Sequence, residues 1–134
     1  MPGARLIKAM RDERGSALAD FALVSVILVP LFFAILQLAL IWHVKTTLTA
    51  AASQGARYGA AYERTATDGA DRTRSVVEDV FGPRLQDQVW ADESTTNRQV
   101  MVEVTVRAQV PVVAFWGPTI TVQVSGHAVR ELLP

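Results

Sequence analysis

The chain has 134 residues and a formal net charge of zero, with 13 Lys and Arg against 13 Asp and Glu, and its basic residues are scattered rather than gathered into a stripe. That distribution gives no electrostatic footprint for nucleic acid. The lack of cysteine excludes disulfides, thiolate metal sites and thiol catalysis, and once the apolar segment described next is set aside, only one small domain can be built from what remains.

Residues 1–15 form a polar leader that carries Arg5, Lys8, Arg11 and Arg14. Ser16 then stands where an N-cap would open an apolar helix through Ala17, Leu18 and Ala19. From Phe21 to Trp42 the chain runs for 22 residues without a charge. As a helix this stretch spans about 33 Å, enough to cross a bilayer once. Pro30 lies within it, at a place where membrane helices tolerate a missing backbone bond. Basic residues ahead of the span outnumber Lys45 and Arg57 after it, which puts the N-terminus in the cytoplasm and the bulk of the chain outside. A cleaved secretory signal is the competing reading, but its apolar region runs to about 7–15 residues, shorter than this one.

The helix is expected to continue out of the membrane as far as Ala61, because this stretch is rich in alanine and free of proline. Ala51, Gly55 and Gly59 recur every fourth residue, as do Ala52, Ala56 and Ala60, so one broad face carries almost no side-chain volume. Such a face admits a second helix at close range, either from the same domain or from a neighbouring subunit, and spacing leaves the two uses open.

Thr65–Asp71 reads as a polar loop. A second helix follows, with Val76, Val77, Val80 and Phe81 at helical spacing and Gly82-Pro83 ending it. Leu85, Val89 and Trp90 are read as a further short turn. The last third changes period: Val100, Val102, Val104, Val106, Ala108 and Val110 alternate with polar residues, and Ile120, Val122, Val124 and Ala128 repeat the alternation. Two antiparallel strands joined through Pro111–Pro118 are expected, with the helices covering their apolar face. Phe115 and Trp116, near the tip of that connection, suit either the core edge or a partner.

No constellation for catalysis stands out. His43 belongs at the membrane interface beside Trp42, and His127 falls on the polar face of a strand. Asp68 with Asp71, and Asp87 with Asp92 and Glu93, lack the calcium-loop pattern and read as solvated charges. The expectation is a protein that is not an enzyme, needs no cofactor or metal, and takes neither nucleic acid nor a small-molecule substrate.

Arg14-Gly15-Ser16-Ala17-Leu18-Ala19-Asp20-Phe21 carries the most information. A basic residue and glycine, a small residue, then an acid followed by an aromatic and a long apolar helix resembles the class III signal of type IV pilin-like proteins. More narrowly it is similar to the TadE-like proteins of the tight-adherence pilus. Ala51-Ala52-Ser53-Gln54-Gly55-Ala56-Arg57-Tyr58-Gly59-Ala60 resembles the small-residue stretch that follows the span in that family, and Ile120–Arg130 resembles its closing strand. The resemblance implies that a membrane prepilin peptidase cuts between Gly15 and Ser16, and that Asp20 pairs with the new amine of a neighbouring subunit. Where the family usually has glutamate this chain has Asp20, which keeps the charge and loses one methylene of reach. An interfacial acid favoured by the helix dipole is the alternative account of Asp20.

The sequence thus predicts an α+β protein. Its parts are a cytoplasmic leader over 1–15, a transmembrane helix over 16–44, a helical extension over 45–63 and a small extracytoplasmic α+β domain over 64–134. By resemblance it is a minor pilin or pseudopilin whose partners are the membrane, a prepilin peptidase and other pilins, with Asp20, Phe21, Ala51, Gly55 and Gly59 as assembly residues. An unprocessed, membrane-anchored adaptor is the alternative.

Overall fold

The computed structural model describes residues 2–83, 88–111 and 119–130. In chain order these form helix α1 (Pro2–Ala60), helix α2 (Ala66–Phe81) and strands β1 (Val89–Thr96), β2 (Gln99–Pro111) and β3 (Thr119–Val129). The chain divides into two compact units, Met1–Ala39 and Leu40–Pro134. The α+β class is as expected, with a third strand added.

In the first unit α1 is already helical at Pro2. Ser16 is therefore a mid-helix residue and not an N-cap. The leader is made of good helix formers, Ala, Arg, Leu, Lys, Met and Glu, and its proline stands at the first turn, where its missing N–H costs nothing. The apolar residues that follow are exposed, Phe21 at 71% and Val26 at 71% among them. Among the described residues α1 is the one helix long and apolar enough to cross a membrane.

The second unit folds around the end of α1, α2 and a three-stranded antiparallel sheet ordered β1-β2-β3. β2 pairs with β3 in a register that sets Val104 opposite Gly126 and Val106 opposite Val124, and with β1 so that Val89 faces Val106. Val102, Val104, Val106, Ala108 and Val110 of β2 and Val122 and Val124 of β3 are buried, together with Leu48, Ala52 and Ala56 of α1 and Val77 of α2. The predicted alternation therefore marks the inner face correctly. On α2 the helical spacing overreaches: Val77 is buried, whereas Val80 is 55% exposed.

Two local readings are corrected. The loop expected over Thr65–Asp71 is mostly helix, because Thr65 caps α2 and Asp68 closes a capping box, after which Ala66, Gly69 and Ala70 turn inward. Val89 and Trp90 open β1 rather than a turn. The β1–β2 hairpin closes on Asn97 and Arg98, both with positive φ (54° and 67°), between the paired Thr96 and Gln99. That is the two-residue geometry whose twist suits a hairpin. Leu85, Phe115 and Trp116 lie outside the described residues.

The backbone N–H of Arg130 donates to the Val100 carbonyl (2.8 Å), one step beyond the Met101–Val129 pair. In an antiparallel ladder bonded positions alternate, so the even-numbered residues of β3 face β2 and the odd-numbered ones aim their N–H and C=O groups away from it. Among the described residues no strand pairs with that outer side of β3.

Candidate functional site

The motif residues Gly15, Ser16, Asp20 and Phe21 all lie on α1 within the first unit, and all are exposed. A side chain at Gly15 would meet nothing within 4 Å, so no packing demand calls for glycine there. Asp20 and Phe21 are neighbours at the head of the apolar run. A helix places consecutive side chains about 100° apart, so the carboxylate and the ring lie on adjoining faces. Among the described residues Asp20 has no ion-pair partner, and no group of three His, Asp or Glu side chains is placed to hold a metal.

Ala51, Gly55 and Gly59 are placed differently. All three are buried, and their face is filled by the protein's own second helix. A Cβ added at Gly55 would collide with Thr73 Oγ1 and stand 2.6 Å from the Gly69 carbonyl oxygen, and one at Gly59 would stand 2.8 Å from the Thr65 carbonyl oxygen. Thr73, fully buried, donates to the Gly69 carbonyl at 3.0 Å and reaches the Ala51 carbonyl at 3.4 Å. β3 meets the same helix at Gly126, where an added Cβ would strike the backbone of Ala52 and Ser53. The small-residue face that spacing assigned equally to assembly or to the domain's own packing is thus occupied inside the domain. Ala51, Gly55 and Gly59, expected as assembly residues, are occupied in packing within the domain.

Several charges read as solvated have partners. Asp68 accepts from the Thr65 backbone N–H (2.8 Å) and hydroxyl (2.9 Å), and these bonds, the backbone one foremost, hold its carboxyl below the usual carboxylate range. Glu93 takes the Arg130 guanidinium at 2.7 Å, and the same guanidinium donates to the Arg64 carbonyl at 3.2 Å. One side chain thereby ties the end of β3 to β1 and to the loop after α1. His127 Nε2 lies 3.2 Å from Glu103 on the open face of the sheet, while Arg107 stacks over Trp90 and bonds Gln123. Arg74 donates to the Val89 carbonyl at 2.8 Å, satisfying one outward-facing group at the start of β1. Thr65 and Asp68 are three residues apart and were hidden by reading that stretch as a loop; sequence reasoning missed the other pairs because their partners are 15 to 66 residues apart along the chain.

Residues 15–57 match the model of a family described as TadE-like protein. The matched stretch starts at the glycine of the motif, takes in Asp20 and the whole apolar run, and ends at Arg57. The chain therefore carries a TadE-like segment over 15–57, which takes in the motif from Gly15 to Phe21 and the small-residue stretch as far as Arg57. The likeness drawn for the closing strand lies outside the matched residues. No curated protein and no solved structure matches the chain.

Proposed function

We propose that this chain is a single-pass minor component of a Tad-type pilus or its associated secretion machinery, acting by membrane anchoring and helix-mediated assembly and not by catalysis. The observation that carries the reading is the TadE-like match over 15–57, which starts at Gly15 and includes an exposed acid at the head of an exposed apolar helix. In this reading the basic leader is held at the cytoplasmic face and a prepilin peptidase cuts between Gly15 and Ser16. An exposed glycine with no packing neighbour suits a protease, since its backbone can be drawn into an extended form at little steric cost. Cutting leaves a free amine at Ser16 one helical turn from Asp20. In a low-dielectric setting that carboxylate is best satisfied by a cation, and the amine of a neighbouring subunit supplies one.

Mass spectrometry of the mature N-terminus tests the processing. Cells holding a prepilin peptidase should yield a chain that begins at Ser16, and Gly15→Val should keep the full-length mass. An intact leader in wild-type protein from those cells would favour the unprocessed adaptor instead.

A further inference from the structure

The start of the second unit presents a face of α1 whose sequence reads as polar and whose surface is not. Trp42, Lys45, Thr46, Thr49, Ala50 and Ser53 line an open groove of about 400 Å³. Their spacing of three and four puts them on one stripe, away from Val44, Leu48, Ala51 and Ala52, which face the core. The threonine hydroxyls are turned inward along the helix: Thr46 Oγ1 donates to the Trp42 carbonyl at 2.8 Å and Thr49 Oγ1 to the Lys45 carbonyl at 2.7 Å. A β-branched threonine with its hydroxyl tied back to the preceding turn shows its methyl group outward. Apart from Ser53 at one end and Lys45 at the rim, the groove is therefore walled by threonine methyl groups, Ala50 and the Trp42 ring, which is 71% exposed. Its one charge is Lys45, which no carboxylate among the described residues pairs with.

We propose that this groove holds one anionic phospholipid, with its phosphate on Lys45 and its glycerol and upper acyl chain against the Trp42 ring and the threonine methyls. Charge favours this occupant, since an apolar trough with a lone cation at its rim complements an amphiphile with one negative group. Chain position favours it as well. Trp42 closes the uncharged run, and an indole followed by a lysine is the residue order of a membrane interface, where the ring sits at headgroup level and the ammonium reaches the phosphate. The proposal rests on the membrane-anchored reading above.

Native mass spectrometry of the full chain released from nanodiscs of equal phosphatidylglycerol and phosphatidylcholine tests it. One phosphatidylglycerol should stay bound in preference to phosphatidylcholine by about fivefold, the ratio expected of a single lysine at a lipid surface. Lys45→Gln should remove the preference. Ala50→Phe, which fills the trough at an exposed position, should lower retention of both lipids while circular dichroism stays unchanged. Equal retention of the two lipids by wild type, or a preference that survives Lys45→Gln, overturns the proposal. So does a dimer abolished by Ala50→Phe with no lipid retained, which assigns the face to a second helix. Flotation with the same lipids as vesicles separates the two readings: a chain that fails to float overturns membrane anchoring itself, whereas one that floats without lipid preference overturns only the groove.

Discussion

Glycine at 55 and 69 is a matter of clearance. The α1 backbone lies so close to α2 that even a methyl group at position 55 meets a side-chain oxygen and a backbone carbonyl, and the carbonyl cannot rotate aside. Gly55→Ala should therefore lower stability by about 1–3 kcal/mol, the usual range for overpacking, read as a fall in melting temperature. Gly15→Ala, with nothing within 4 Å, should leave it unchanged. The four-residue spacing was legible in the sequence, but which surface it meets was not, because Gly69 stands in a stretch whose polar composition resembled a loop and Thr73 in the polar turn after it, ahead of the valines that marked the helix. The Thr65–Asp68 cap carries the other prediction at this scale. The Asp68 carboxyl is held below its ordinary value, so its contribution is full above that value, near pH 4, and is lost as pH falls through the lowered one. Acid unfolding of Asp68→Asn should be less steep over that window than that of wild type. Thr65→Ala should cost about 1 kcal/mol at neutral pH.

Among the elements, β2 and β3 were legible because their alternation is strict and one face is wholly apolar. β1 was not. Its inner row is Val89, Ala91, Glu93 and Thr95, only half apolar, and the tight turn behind it is Asn97-Arg98 rather than the Asn-Gly that usually marks a hairpin. Glu93 is accommodated on the inner row because Arg130 crosses the end of the sheet to meet it. Arg130→Met should therefore loosen β1 ahead of the rest of the sheet, and amide exchange should show faster loss of protection over 89–96 than over 122–128. At the turn, Arg98 occupies a left-handed conformation that a side chain disfavours. Arg98→Gly should relieve that strain and raise stability by about 0.5–1 kcal/mol, measured by denaturant titration.

For the molecule as a whole, the family resemblance was readable from eight residues, Arg14–Phe21, because a short motif of fixed residue order is legible without the fold around it. The domain gave less away: its core is mostly valine and alanine, which mark inside from outside but name no partner. The functional prediction at this scale concerns Asp20. Asp20→Ala should leave membrane insertion intact and weaken pull-down of other pilus components. Asp20→Glu restores the family's residue and should keep that pull-down at or above the wild-type level. Equal recovery with Asp20→Ala would leave the acid a helix-end charge with no role in assembly.

The outer side of β3 bears on how the protein behaves in a tube. From Thr119 to Val129 the strand carries no lysine, arginine, carboxylate or proline, while its odd-numbered backbone groups point away from β2. Proteins ordinarily guard such a margin with charge, and β1 has Asp92, Glu93 and the Arg74 contact on Val89 for that purpose. Detergent-extracted protein should therefore form soluble oligomers on storage, at a rate that rises with concentration. A single Thr121→Lys, placing an ammonium on the same strand opposite the uncharged Gln109, should keep it monodisperse by light scattering with little change in its melting temperature.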